Sequence, residues 1–232
     1  MSSITKQIQF VKSQIADYCQ QYHREPHAVQ LLAVSKTKPL SDIAEAYACG
    51  QRHFAENYVQ EAVEKIQQAQ LSDWQNEPIQ WFFIGPLQSN KTRLVAQHFD
   101  WVQSIERLKI AQRLSDQRPE EMPALQICLQ INISQEANKS GTDFEHVFEL
   151  AQEVSKLPRI QLRGLMAIAQ KFDDPQLLDE SFSRLQQCFD QLSQLYPNID
   201  TLSLGMSGDM GAAIAHGSTM VRIGSAIFGA RN

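Results

Sequence analysis

Lys36 closes a short apolar run, Leu31-Leu32-Ala33-Val34-Ser35, and is followed by Thr37-Lys38-Pro39. A run of this length that stops at a turn signal reads as a buried strand. A lysine at its exit is held by a rigid element at the edge of a core, where it can lose its proton and attack a carbonyl to form a Schiff base. On this segment alone, a lysine that caps the strand in solvent is the plainer reading. Two later segments shift the balance. Ser207-Gly208-Asp209 leads into a helical stretch, and Arg222-Ile223-Gly224-Ser225 leaves a strand for another. Glycines let a backbone come close to a ligand, exposed N–H groups supply donors, and serine hydroxyls add more, so both segments suit a phosphate. Four charge-assisted hydrogen bonds at about 1.5–3 kcal/mol each would give a gross ~6–12 kcal/mol, against about 8 kcal/mol for a micromolar complex. Ordering and desolvation reduce that sum, so a covalent link through Lys36 would matter as well. Lys38 is either a second ammonium that favours a neutral Lys36 or a solvated surface charge.

These residues need a scaffold that brings them together. Apolar positions Ile4, Ile8, Val11, Ile15, Tyr18 and Tyr22 repeat at helical spacing, giving an amphipathic N-terminal helix that a Ser2 or Ser3 cap would start. Its polar face is rich in glutamine, which suits packing on its own domain rather than on a membrane. Strand-like runs then follow at 31–34, 52–55, 81–84, 101–104, 125–131, 161–167, 199–204 and 220–223. Helix-like stretches at 41–49, 58–70, 90–98, 107–116, 144–156, 175–196 and 210–215 separate them. Strands alternating with helices indicate parallel βαβ units, and eight of them close a (β/α)8 TIM barrel. An open doubly wound sheet would show a glycine fingerprint after its first strand, and Ser35-Lys36-Thr37-Lys38 has none. The expectation is an α/β fold, one barrel domain over residues 1–232, with an extra N-terminal helix.

Active sites of such barrels lie at the C-terminal strand ends, and loops after strands seven and eight commonly hold phosphate. The special residues collect at those ends: Lys36, Asn57, the segment Gly85–Lys91, Ser104 with Glu106, Asn132, Met166, Ser207 and Gly224-Ser225. Singly, each is explained by turn chemistry. Jointly, a reactive lysine and a phosphate cup on one rim suggest a phosphorylated aldehyde, and pyridoxal 5′-phosphate fits that description.

Composition narrows the classes. The 232 residues are 43% apolar and 20% charged, ordinary for a globular protein, and the net charge of −5 provides no basic field for nucleic acid. An anionic ligand therefore needs a local concentration of positive charge. No apolar block signals a leader or a membrane span, so a cytoplasmic protein with no membrane partner is expected. Cys19, Cys49, Cys128 and Cys188 form no CxxC pair and read as buried free thiols. His23 and His27 are four apart, but Pro26 between them breaks a shared helix face, and no metal site is expected.

Six segments resemble one known family: Val34–Pro39, Glu56–Glu61, Phe83–Lys91, Gly164–Ile168, Gly205–Ser207 and Gly217–Gly224. In that order, from Leu31 to Arg231, the chain is similar to the pyridoxal phosphate homeostasis proteins, a vitamin B6 group related to the barrel domain of alanine racemase. The resemblance implies that Lys36 carries the cofactor as an internal aldimine. It implies that Ser207 and the Gly224-Ser225 backbone hold the phosphate, that Arg222 faces the pyridine nitrogen and that Asn57 lies beside the ring. A cation there disfavours protonation of the nitrogen and makes the ring a poorer electron sink. Ala55, Phe82, Glu106 and Gly211 depart from the family's usual glycine, histidine, aspartate and glutamate; none removes an implied cofactor contact, and Gly211 weakens any role for an acid on the helix after Ser207.

The family is regarded as managing the cofactor without an established reaction of its own. A racemase of this fold needs a second base beside Lys36, which related racemases take from a tyrosine of a further domain. The chain ends at Asn232, and of its tyrosines Tyr18, Tyr22, Tyr47, Tyr58 and Tyr196, only Tyr58 is a candidate for the rim. The expectation is a monomeric carrier that maintains the pyridoxal phosphate pool and hands the cofactor to apo-forms of dependent enzymes. The alternatives are a low-activity amino-acid racemase, a cofactor-free Schiff-base aldolase, and a regulatory module acting by protein contact. Lys139 is read as a solvated loop residue or a secondary anion contact.

Overall fold

The computed structural model describes residues 3–25, 27–72, 74, 77–134, 140–169 and 175–230. Eight parallel strands, β1 (Gln30–Val34), β2 (His53–Glu56), β3 (Gln80–Phe83), β4 (Trp101–Ile105), β5 (Leu125–Ile131), β6 (Ile160–Ala167), β7 (Thr201–Ser203) and β8 (Met220–Ile223), close into a barrel in sequence order. Closure is made by β1 pairing with β8, Leu32 opposite Arg222 and Ala33 opposite Ile223. This is the expected (β/α)8 barrel, and the open doubly wound alternative is excluded.

Helix α1 (Ile4–Gln21) precedes the barrel and buries Ile8, Val11, Ile15 and Cys19. Ser3 occupies the cap position with extended backbone, but its side chain makes no capping bond, contrary to the capping expected of it. A helix follows each strand: α2 (Leu40–Ala48), α3 (Val59–Gln70), α4 (Thr92–His98), α5 (Leu108–Gln117), α6 (Val147–Val154), α7 (Pro175–Leu195), α8 (Met210–Ala215) and α9 (Ser225–Phe228). The largest boundary correction is in α6, expected from Phe144. Asp143 Oδ1 accepts the amides of Glu145 at 3.0 Å and His146 at 2.8 Å, and this local turn delays the helix to Val147. Strand β7 is shorter than the expected 199–204, because the Ile199 amide donates to Tyr196 O at 3.0 Å in a turn. His23 has φ 54 and lies beyond the end of α1, so it shares no helix face with His27. Cys19, Cys128 and Cys188 are buried, whereas Cys49 is half-buried, its Sγ 3.0 Å from Thr5 Oγ1.

Strand side chains alternate between two environments. Leu31 and Ala33 pack outward beneath the helices. Leu32, Ala55, Phe82, Trp101, Cys128, Met166 and Met220 fill the barrel interior, with Val34 and Ile84 partly buried above them. Phe82 and Trp101 stack there with ring centroids 5.1 Å apart. This layer is the floor of the barrel mouth.

Candidate functional site at the barrel mouth

Two residues past Val34, Lys36 continues the inward register of Leu32 and Val34 and emerges above the floor. Asn57 continues the register of Ala55, and Arg222 that of Met220. The mouth holds a cavity of about 330 Å³ lined by Lys36, Asn57, Ser207, Arg222, Gly224 and Ser225, together with Lys38, Ile84, Met166 and Met206. All six residues singled out in the sequence thus meet in one space. It falls within the roughly 300–1,000 Å³ of small-molecule sites. Among the described lining residues the charged side chains are Lys36, Lys38 and Arg222, all cationic. The local positive field that an acidic chain needs for an anion is present.

Arg222 is held firmly. Nη1 donates to Ser203 O at 2.7 Å and Ser203 Oγ at 2.9 Å, and Nη2 donates to Ala167 O at 2.7 Å. Ser203 Oγ in turn donates to Gln103 Oε1 at 2.8 Å inside the barrel. Burial lowers the guanidinium pKa to about 10, opposed by Asp209, and it stays cationic at neutral pH. Asp209 Oδ1 accepts the Met206 amide at 2.6 Å and closes a turn over Ser207 and Gly208. Burial raises the Asp209 pKa, while that amide and Arg222 pull it down. Gly205, with φ +101, starts the turn; a Cβ there would lie 2.6 Å from Ala213 Cβ. Ser207 and Ser225 are exposed to the mouth.

On the other side, the chain on each side of Lys36 is tied to a partly buried charge cluster. Ser35 points outward, and its Oγ donates to Glu56 Oε1 at 2.6 Å. Lys65 Nζ donates to Ser35 O, Glu56 Oε1 and Glu61 Oε1 at 2.9, 2.8 and 2.6 Å. Glu61 Oε1 also accepts the Thr37 amide at 2.6 Å. Burial pushes the Glu56 carboxyl above its usual range, with Lys65 and Ser35 opposing. Sequence reasoning did not single out Lys65 or Glu61 for the site. The signal was available: Lys65 lies among Val59, Ala62, Ile66 and Ala69 on the buried face of α3, an unusual place for a lysine.

Other rim residues fall elsewhere. Ser104, Glu106 and Asn132 line a neighbouring cavity of about 320 Å³, which shares Asn57, Ile84 and Ile168 with the first. Glu106 Oε2 accepts the Gly141 amide at 3.0 Å. Lys38 lines the first cavity, but its ammonium donates to Ala230 O at 3.0 Å. Tyr58 is half-exposed and lines neither cavity. The departures from the family pattern are absorbed by packing, Ala55 and Phe82 in the barrel floor and Gly211 against the Tyr18 ring. Lys139 lies outside the described residues. Among the described residues no cluster of metal-ligating side chains forms, and no helix is long and apolar enough to cross a membrane.

The chain is similar in sequence and fold to known proteins. Residues 13–232 match the sequence model of the alanine racemase N-terminal domain. A pyridoxal phosphate homeostasis protein of Vibrio alginolyticus is 55% identical over 232 residues, covering 100% of this chain and 99% of that protein. A crystal structure of a protein of unknown function from Bifidobacterium adolescentis superposes with a TM-score of 0.91 at 34% identity, covering 97% of this chain and 94% of the other. PipY of Synechococcus elongatus, solved with pyridoxal phosphate bound, gives 0.77 at 36% identity, covering 93% of this chain and 100% of PipY. The chain belongs to the alanine racemase N-terminal domain family and, within it, groups with the pyridoxal phosphate homeostasis proteins.

Proposed function

We propose that this chain binds pyridoxal 5′-phosphate at the barrel mouth, joined covalently through Lys36 Nζ, and acts as a carrier that maintains the cofactor pool. The observation that carries the reading is the convergence of Lys36, Asn57, Ser207, Arg222, Gly224 and Ser225 on one cavity whose described charges are all cationic. The likeness to PipY, solved with that cofactor, supports it. The residues present fit the group. A primary amine, two serine hydroxyls and charges that are all cationic line the cavity, the donor set that a phosphorylated aldehyde needs. When bound, the cofactor supplies an aldehyde that a primary amine attacks, and a phosphate that must be neutralised. Lys36 provides the amine; the Ser207 and Ser225 hydroxyls and the Gly224-Ser225 backbone provide phosphate donors.

Two features favour a carrier over a racemase. Arg222, locked by three hydrogen bonds, keeps a cation where the resemblance puts the ring nitrogen, and this weakens carbanion stabilisation. Among the described residues no tyrosine lines the cavity to act as second base. In this reading the recipients are apo-forms of enzymes that use the cofactor, and the protein serves them in the cytoplasm as a monomer.

The test is to load the protein with cofactor, reduce it with borohydride and map the added mass. The expected result is one adduct on the peptide containing Lys36, lost in Lys36→Ala. An adduct elsewhere, or none, refutes the covalent assignment. Incubation of the loaded protein with L-amino acids in deuterium oxide should leave the α-proton signals intact; Lys36-dependent loss would make the protein an enzyme.

A further inference from the structure

We infer that Lys65, with Glu56 and Glu61, positions Lys36: the buried Lys65 and Glu56 and the partly exposed Glu61 form a cluster that clamps the backbone on both sides of the reactive lysine and fixes its side chain into the cavity. The inference rests on the reading of Lys36 as the covalent anchor.

The geometry is specific to one short segment. An ammonium has three donors, and those of Lys65 go to Ser35 O, Glu56 Oε1 and Glu61 Oε1, at 2.9, 2.8 and 2.6 Å. The Ser35 carbonyl immediately precedes Lys36. The Thr37 amide immediately follows it and donates to the same Glu61 oxygen that Lys65 holds. The Ser35 side chain adds a third tie, to Glu56. Thr37 has φ 62, a left-handed conformation unfavourable for a β-branched residue, and Glu61 secures it. With Ser35 pinned outward, alternation along the chain leaves Lys36 facing the mouth.

The cluster is poorly explained as a stability device. Glu56 and Lys65 side chains are 0% and 9% exposed, and two carboxylates share one ammonium. Desolvation of buried ion pairs often cancels their attraction, and apolar replacements are commonly neutral or better; fixing a unique geometry is the better-attested use of such groups. Glu56 Oε2 has no partner among the described residues, a further cost that stability alone would not select. Because small misplacements of a reacting group reduce rates steeply, up to about 100-fold for 1 Å, a clamp on Lys36 has an effect that packing does not.

The experiment compares wild type with Lys65→Met combined with Glu56→Gln, which removes one charge of each sign, and with Glu61→Gln, which cuts the Thr37 tie at a partly exposed position. Three quantities are read on folded protein: the rate at which apoprotein forms the Lys36 adduct with pyridoxal phosphate, the affinity for pyridoxine 5′-phosphate, which has no aldehyde, and the pH profile of Lys36 labelling by trinitrobenzenesulfonate without cofactor. The expected result is adduct formation slowed at least tenfold in the double variant and about threefold in Glu61→Gln, affinity for the aldehyde-free analogue within about twofold, and an altered labelling profile. Unchanged adduct rates, or a parallel loss of analogue binding, overturn the inference. If the double variant does not fold, Glu61→Gln decides by the same criteria. If wild type forms no Lys36 adduct, the anchor reading fails separately, and an unchanged labelling profile then overturns the clamp as well.

Discussion

The two sides of the barrel mouth are built from different materials. Around β1, β2 and α3, order comes from side chains: Glu56, Glu61 and Lys65 form a charged cluster behind Ser35 and Thr37. Around β7 and β8 it comes from backbone: Gly205 and Gly224, short helices, and an arginine bonded mainly to carbonyl oxygens. The difference follows from the role proposed for each side. Orienting a single long, flexible amine requires constraints on one segment, whereas a multivalent anion is served by many short donors on a close-fitting loop.

Substitutions can break or sharpen this contrast. Arg222→Ala should have the largest effect on stability, since it strands the Ser203 and Ala167 carbonyls in the core; about 1–3 kcal/mol for each gives a loss of ~2–6 kcal/mol in urea unfolding. A near-neutral result would show that the β7–β8 side does not depend on that guanidinium. Ser207→Ala and Ser225→Ala should each weaken cofactor affinity about tenfold, the lower end for a hydrogen bond to a charged group, with stability preserved. If neither changes affinity, backbone alone holds the phosphate.

A subtler difference concerns pH. Burial raises the folded-state pKa of Glu56 above its usual value, so the native state binds more protons than the unfolded state between the two values. This group's contribution is therefore most favourable at low pH and is lost as pH rises through the raised folded value. The stability of wild type relative to Glu56→Gln should shift in favour of wild type between pH 7 and pH 5, as read from unfolding curves of both proteins. The opposite trend would mean that Lys65 overcomes desolvation. Lys38→Ala marks the small end of the scale. It removes one exposed hydrogen bond to Ala230 O and should change stability by no more than about 0.5 kcal/mol.

Strand positions were legible because most strands, such as Leu125–Ile131, are buried on both faces and read as apolar-rich runs between helices. The same burial hid the register. Leu31, Leu32 and Ala33 are equally apolar, so nothing in the run says that Leu32 faces inward and takes Lys36 with it. The β7–β8 side, proposed to hold the phosphate, was readable from local chemistry, since glycine and serine at strand ends are short-range signals. The inferred clamp was readable only in part: apolar residues 59, 62, 66 and 69 at helical spacing mark the buried face on which Lys65 lies, but nothing local pairs it with Ser35 and Glu56 across the β1–β2–α3 span. The division of the rim into two cavities runs through Asn57, Ile84 and Ile168 at the ends of β2, β3 and β6, a matter of barrel closure rather than of any motif.

The alternation along β1 also bears on how this site can change over generations. Adjacent positions 35 and 36 serve opposite layers, one the cluster and the other the cavity. A one-codon insertion or deletion within β1 that shifted its end would exchange them, presenting a serine to the mouth and a lysine to the buried carboxylate. A two-codon change would keep the parity. Length variation in this strand should therefore be tolerated, if at all, only in even steps, which makes the parity of a five-residue strand as constrained as the identity of the lysine that follows it.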